Sequence, residues 1–199
     1  MAQSKPKSIK GTRTEKNLVS AYMAESSAYT RYVFYSQQAE KESYFPIAQI
    51  FQETADNELR HAKIYFKYLQ GGNIPVTMGV DAGIIGTTEQ NLEIAAQEEL
   101  EEGTKMYRAA AKVAQEEGFD DIASHFLAIA DVEETHRRRF LHYLKQVKDG
   151  TVWKRDKPIK WKCLVCGYEY VGTEPPAVCP ACNHPREHYM AMDYEDSID

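Results

Sequence analysis

The sequence predicts a mainly α protein: a four-helix bundle followed by a small C-terminal metal-binding domain held by four cysteines. Three observations carry that reading. Two tetrads, Glu58-Leu59-Arg60-His61 and Glu133-Glu134-Thr135-His136, both read Glu-x-x-His and stand 75 positions apart. The sequence around them repeats. Glu15-x-Asn17-Leu18 matches Glu89-x-Asn91-Leu92 at an offset of 74, as Glu25 matches Glu99, whereas Ile47, Phe51, Glu58 and His61 match Ile122, Phe126, Glu133 and His136 at an offset of 75. One inserted residue explains the change. Lastly, all four cysteines fall between Cys163 and Cys182, in two CxxC pairs. A repeated helix pair is a repeated packing unit, and two such units bury each other's apolar stripe.

The elements follow in order. Thr12-Arg13-Thr14-Glu15 is a capping box and starts the first helix. Leu18, Tyr22, Glu25, Tyr29 and Tyr32 then recur at helical spacing, and the helix ends near Lys41. Pro46 suits the opening turn of the second helix, where an N–H would lack a partner anyway. The inner stripe of that helix is Ile47, Phe51, Thr54, Glu58, His61 and Tyr65, and Gly71-Gly72 stops it. Asn73 to Gly86 shows no period and is long for a helix connection. A crossover of that length makes helices two and three parallel, as in ferritin-like bundles. Thr87-Thr88-Glu89-Gln90 is a second capping box, and the third helix carries Leu92, Ala95, Glu99, Glu102, Met106, Ala110 and Val113 on one face up to Gly118. The fourth carries Ile122, Phe126, Ile129, Glu133, His136, Phe140 and Tyr143, and Gly150 ends it. The stretch 151–160 is polar and basic and contains Pro158, so it reads as a linker between a bundle of residues 1–150 and a domain of residues 161–199. That last segment has too few apolar residues to fold on a core alone, and metal bound by the cysteines supplies the staple.

Composition narrows the function classes. A length of 199 residues allows one domain of ordinary size plus an appendage. A net charge of −6 speaks against nucleic acid as a partner. No apolar run approaches membrane-spanning length. The basic residues before Arg13 are not followed by an apolar segment, so they do not read as a secretory signal, and the expected location is the cytoplasm.

The acidic residues sit in the wrong place for a solvated face. Glu25, Glu58, Glu99, Glu102 and Glu133 all fall within apolar stripes. Burying one unpaired carboxylate costs several kcal/mol or more, and five at one level of a bundle are prohibitive without cations. Any one of these glutamates alone would be read as surface, but their joint register argues against that. In each tetrad the Glu and His lie three apart, on one helix face. Carboxylate di-metal bundles use one Glu from each of two helices and Glu-x-x-His from each of the other two. Glu25 and Glu99 supply the singles, and Glu58/His61 and Glu133/His136 the pairs. Mixed oxygen and imidazole ligands suit iron or manganese, with zinc as a redox-inert possibility. Tyr32 and Tyr107 lie about two helical turns from Glu25 and Glu99, where proton donor and core filler are equal readings. His125 and His142 lie off this level and read as structural or surface residues.

Cys163-Leu164-Val165-Cys166 and Cys179-Pro180-Ala181-Cys182 form two knuckles whose thiolates make a tetrahedral site for iron or zinc. Gly167 and Asn183 follow the second cysteine of each and tolerate left-handed backbone that turns amides toward sulfur. Spacing alone favours a structural zinc ribbon. Fusion to a redox-type di-metal bundle shifts the reading to iron, because a neighbouring one-electron site can supply the bundle with electrons.

Taken together, Glu25-Ser26, Glu58-x-x-His61, Glu99-x-x-Glu102 with Met106-Tyr107, Glu133-x-x-His136, Trp161-x-Cys163-x-x-Cys166-Gly167-Tyr168 and Cys179-Pro180-x-Cys182 resemble rubrerythrin, from about Lys10 to His188. The resemblance implies a ferritin-like bundle fused to a rubredoxin-like domain, and a non-haem di-iron peroxidase that reduces hydrogen peroxide to water in an anaerobe or microaerophile. It implies Glu58 and Glu133 as bridging carboxylates, Glu25 and Glu99 as terminal ones, and His136 on the second iron. His61 and Glu102 correspond to a pair that alternates on the first iron with redox state. A mononuclear iron on Cys163, Cys166, Cys179 and Cys182 would pass electrons inward, from rubredoxin or an NADH-dependent reductase. The expected assembly is a head-to-tail homodimer. Ala24 stands where the family often has Gly, which implies slightly altered packing without loss of ligation. Two other functions compete: a ferroxidase or iron-handling protein, and a zinc-stapled redox sensor.

Overall fold

The computed structural model describes residues 7–80 and 82–194. Five α-helices follow in order: α1 (Arg13–Lys41), α2 (Phe45–Tyr68), α3 (Thr88–Leu100), α4 (Arg108–Glu116) and α5 (Asp120–Asp149). A π-helical segment, Glu101–Tyr107, joins α3 to α4 with right-handed helical residues at both ends, so the three pieces form one rod. The result is the expected ferritin-like bundle of four helical rods. Three short strands follow, β1 (Ile159–Cys163), β2 (Glu169–Gly172) and β3 (Tyr189–Ala191), antiparallel in the order β2-β1-β3. No described helix is long and apolar enough to cross a membrane.

The rods begin and end where local chemistry dictates. At the start of α1, Thr12 Oγ1 accepts the Glu15 N–H at 3.1 Å, and the Glu15 carboxylate accepts the Gly11 N–H at 2.8 Å. Glu117 adds a second cap, accepting from the Thr14 N–H (2.9 Å) and hydroxyl (2.7 Å). Before α3, Thr87 and Gln90 close a reciprocal capping box, at 3.0 and 3.3 Å. Gly118 (φ 72°) and Gly150 (φ 66°) take the left-handed conformation past the ends of α4 and α5. The following amides, Phe119 N–H to Ala114 O and Thr151 N–H to Gln146 O, then satisfy carbonyls of the last turn. α2 stops at Tyr68, earlier than Gly71-Gly72 would place it, because the Leu69 amide bonds to Phe66 O in a tighter turn.

The chain divides into two compact units, and each of α1, α2, α3 and α5 runs through both. One unit comprises Met1–Arg31, Thr54–Gly83 and Gln97–Arg137. Its core includes Leu18, Tyr65, Tyr107, Ile122 and Phe126. The other comprises Tyr32–Glu53, Ile84–Ala96 and Arg138–Asp199. Within it Tyr32, Tyr35, Phe51 and Phe140 form a buried aromatic cluster with centroids 5.2–6.3 Å apart. The cysteine module belongs to this second unit, where Tyr44 stacks on Trp153 (5.6 Å) and Phe45 on His188 (3.8 Å).

Beyond Leu100 the inward register departs from the straight helix read from sequence. Tyr107, Ala110, Ala111 and Ala114 are the buried positions, and Met106 and Val113 lie half-buried at the edge. The cause is the π segment. One extra residue in a helix of 3.6 residues per turn rotates everything downstream by about 100°. Glu25 and Tyr32 are seven apart, whereas their counterparts Glu99 and Tyr107 are eight apart. The inserted residue therefore falls between Glu99 and Tyr107, where the π segment absorbs it.

Candidate metal centres

Two quartets of ligand atoms lie inside the first unit. Glu25, Glu58, His61 and Glu133 form one, and Glu58, Glu99, Glu133 and His136 the other, with the atoms of each quartet within 4.8 Å of one another. Glu58 and Glu133 belong to both. All six residues are buried, Glu25 and Glu133 completely. His61 Nδ1 lies 2.9 Å from Glu58 Oε2, 3.2 Å from Glu133 Oε1 and 3.6 Å from Glu25 Oε2. His136 Nδ1 lies 3.0 Å from Glu58 Oε1 and 2.9 Å from Glu133 Oε2.

The donor set fits cations better than hydrogen bonds. Glu25 Oε2, Glu58 Oε1, both Glu133 oxygens and His136 Nδ1 are buried without a hydrogen bond of acceptable geometry, although each has opposite-type atoms close by. Lone pairs aimed at a common centre rather than at one another produce that pattern. Nε2 of His136 lies 3.3 Å from the Asn57 amide, which orients the ring and leaves Nδ1 for the centre.

The electrostatics of these side chains are set by burial and by one another. Burial raises Glu25 well above the usual carboxylate range, and Glu133 and Glu58 add to it. Burial also opposes the charged form of Glu58, but the adjacent imidazoles of His136 and His61 outweigh it and hold the group at about 2. His61 is pushed down by burial and then up to about 12 by Glu133, Glu25 and Glu58. His136 follows the same pattern, reaching about 9.

Glu102 stands apart from both quartets. It is half-buried, and its Oε2 lies 3.2 Å from the Tyr107 hydroxyl, which also donates to Glu25 Oε1 at 2.6 Å. Burial raises Glu102 to about 8, with Glu133 and Glu58 adding to the effect. Burial likewise holds the Tyr107 phenol well above its usual range, so it stays a donor. The geometry is therefore one in which His61 faces the first quartet and Glu102 is withdrawn to Tyr107. Tyr32 is equally buried, its ring packed on Phe51 and Phe140. His125 bonds Tyr68 at 2.7 Å and His142 contacts Gln146 at 2.6 Å, both outside the quartets.

Three residues that the sequence did not single out shape the site. Asn57 orients His136. Arg31 is paired with Glu98, and its charge reaches Glu102. Gly103 packs so closely that an added Cβ would stand 3.0 Å from both Ala130 O and Glu133 Cβ. Only the changed offset between the repeats pointed toward Gly103, and nothing local pointed to the other two.

In the cysteine module all four sulfurs lie within 4.8 Å, with Cys163–Cys182 and Cys166–Cys179 each 3.7 Å apart. A tetrahedral metal with bonds of ~2.3 Å to sulfur spaces its ligands by ~3.8 Å, so the four thiols are already set for one ion. Gly167 (φ 78°) and Asn183 (φ 60°) both adopt left-handed backbone, and the amides of Tyr168, Ala181 and His184 bond Cys166, Cys179 and Cys182. Cys163 and Cys179 are buried, whereas Cys166 is exposed.

The family model described as rubrerythrin matches residues 16–144 and, separately, 90–163, and that of the rubrerythrin rubredoxin-like domain matches residues 161–190. The chain belongs to the rubrerythrin family. It is similar to a rubrerythrin of Porphyromonas gingivalis, 47% identical over 94% of this chain and 93% of that one. It is also similar to a rubrerythrin of Nitratidesulfovibrio vulgaris, 45% identical over 94% and 97%. Among solved structures it resembles fully reduced, all-ferrous nigerythrin, with a TM-score of 0.61 at 26% identity over 95% of this chain and 94% of that one. Within the rubrerythrin family the quartets are a di-iron carboxylate site and the four cysteines a rubredoxin-like site. The protein is a di-iron oxidoreductase.

Proposed function

We propose that this chain is a peroxidase that reduces hydrogen peroxide to water at the di-iron site, with electrons relayed through the four-cysteine iron. One observation carries the reading: a buried carboxylate–histidine site with a fifth carboxylate, Glu102, beside it is fused to a preformed tetrathiolate site in the same chain. Storage or ferroxidase chemistry has no use for an attached one-electron donor. When bound, the metals supply two electrons per peroxide and act as Lewis acids toward the departing oxygens.

The chain's own groups do the rest. Glu25, Glu58, Glu99, Glu133 and His136 hold the two ions, with Glu58 and Glu133 shared. His61 and Glu102 serve the first position in alternation. Neutral His61 suits the lower charge of the reduced pair, and a fifth carboxylate suits the higher charge of the oxidised one. Reduction of peroxide to two waters consumes two protons. The Tyr107 hydroxyl, which donates to Glu25 and lies beside Glu102, is placed to pass a proton to the site. Tyr32 is the corresponding candidate on the other repeat. The burial of the site keeps bulk water from the reacting atoms.

The domain limits 1–150, 151–160 and 161–199 are our reading, supported by the placement of the two family matches. We further place the protein in the cytoplasm of an anaerobe or microaerophile, as a head-to-tail homodimer fed by rubredoxin or an NADH-dependent reductase. The test is steady-state consumption of hydrogen peroxide by iron-loaded protein with such a donor, beside sedimentation analysis. Donor-dependent peroxide loss by a dimer is expected. A large cage that oxidises ferrous iron without consuming donor would replace this reading with the ferroxidase one.

A further inference from the structure

A cavity of about 630 Å³ opens beside the metal site, within the same compact unit. Met23, Ala24, Met78, Val80 and Met106 give it an apolar wall, and Glu102 lies on its lining. Hydrogen peroxide does not need such a space. The volume is roughly twenty times the ~30 Å³ share of one water, and it falls within the range of sites for drug-sized organic ligands. Ser27, Gln97, Glu98 and Glu101 also line it, and Glu102 is the lining group that shares the Tyr107 hydroxyl with Glu25 of the first quartet. The two cations of the lining, Arg31 and Lys105, already face Glu98 and Glu101, so neither demands an anionic ligand. A molecule with a hydrogen-bonding head and a neutral apolar tail matches this arrangement.

We propose that the cavity admits neutral organic hydroperoxides and that this chain reduces them to alcohols. The proposal rests on the peroxidase reading and names a second substrate class for the same site. The O–O bond breaks and the C–O bond is kept: ROOH, two protons and two electrons give ROH and water. The electrons come from the same reduced di-iron centre and are resupplied by the same one-electron donor. The head group lies at Glu102 while the tail rests among the methionines, whose flexible thioethers adapt to tails of differing shape.

The test has a binding arm and a turnover arm. Zinc-loaded protein, which is redox-inert, is labelled with ¹³C at the methionine methyls and titrated with 2-phenyl-2-propanol, the alcohol formed from cumene hydroperoxide. Saturable shifts of Met23, Met78 and Met106 are expected, with Met190 and Met192 of the cysteine module unmoved. Iron-loaded protein is then assayed with cumene hydroperoxide and with hydrogen peroxide. Met78→Trp, which narrows the cavity with a bulkier, stiffer side chain, is expected to lower the ratio of the two rates by about tenfold, the scale on which a pocket rejects a poorly fitting apolar group. Turnover of hydrogen peroxide without turnover of cumene hydroperoxide overturns this proposal alone. Turnover of neither overturns the peroxidase reading and this proposal with it. Unmoved methyl signals, or an unchanged rate ratio in Met78→Trp, overturn the assignment to this cavity.

Discussion

Gly103→Ala isolates the contact on which the π segment rests. In the interior of an exposed helix this change would stabilise the chain by about 0.8–1.0 kcal/mol, the difference in helix propensity. Gly103 is not exposed. A Cβ built there stands 3.0 Å from Ala130 O and from Glu133 Cβ, and 3.7 Å from Glu133 Cγ. Carbon atoms pack at about 3.5–4.0 Å and a carbon on an oxygen slightly closer, so the two close neighbours must retreat by roughly a few tenths of an ångström. One is a backbone carbonyl of α5, and the other is the root of a fully buried carboxylate. Neither can swing aside. Overpacking of this kind costs about 1–3 kcal/mol, which exceeds the propensity gain and leaves a net loss of up to about 2 kcal/mol. For a chain of this size each kcal/mol lowers Tm by about 2–4 °C. The larger effect falls on the site, because Glu133 belongs to both quartets. Thermal unfolding of the metal-free variant should show the lower Tm, and colorimetric iron analysis should show incomplete loading of the di-iron site. A variant more stable than the parent that loads iron fully would refute the close packing of the π segment on α5.

Three further outcomes are expected. Glu102→Ala should keep both irons, raise the di-iron reduction potential and slow peroxide turnover, as read by redox titration and stopped-flow absorbance; wild-type values for both would make Glu102 a bystander. Cys163→Ser should abolish donor-driven peroxide reduction while the chemically prereduced di-iron site still reacts once, and undiminished steady-state activity would remove the relay role. Glu117→Gln should cost about 1 kcal/mol at pH 7, the scale of a lost N-cap. Burial opposes its charge, but the Thr14 hydroxyl and amide and Arg13 together outweigh it and hold Glu117 at about 2. A depressed carboxylate stabilises the fold above its unfolded value near 4.3 and loses that contribution as pH falls through about 4 to 2. The urea midpoints of the two proteins should therefore converge over that window, and a gap that persists at pH 2 would contradict the assignment.

Most of the bundle was legible because its signals are local. Thr12 and Thr87 cap as their sequences demand, and Gly118 and Gly150 end helices by left-handed geometry. Gly167 and Asn183 turn the knuckles in the same way. The metal site was legible for another reason: carboxylates in apolar stripes contradict the ordinary cost of burial, and the contradiction repeated. The π segment was only half visible. A change of offset recorded the extra residue, but seven residues of altered backbone bonding leave no mark on apolar spacing, so Met106 was read inward where Tyr107 stands. Asn57, Arg31 and the cavity depend on which helices meet, and α2 ends at Tyr68 through a turn that its glycines did not specify.

Anaerobic single turnover shows directly whether the di-iron site reduces peroxide. Fully reduced, iron-loaded protein is mixed with one equivalent of hydrogen peroxide per di-iron site while absorbance, residual peroxide and dissolved oxygen are followed. Oxidation of the di-iron site with complete loss of peroxide and no release of oxygen is expected. Persistence of peroxide, or a site that oxidises with dioxygen but not with peroxide, would contradict it.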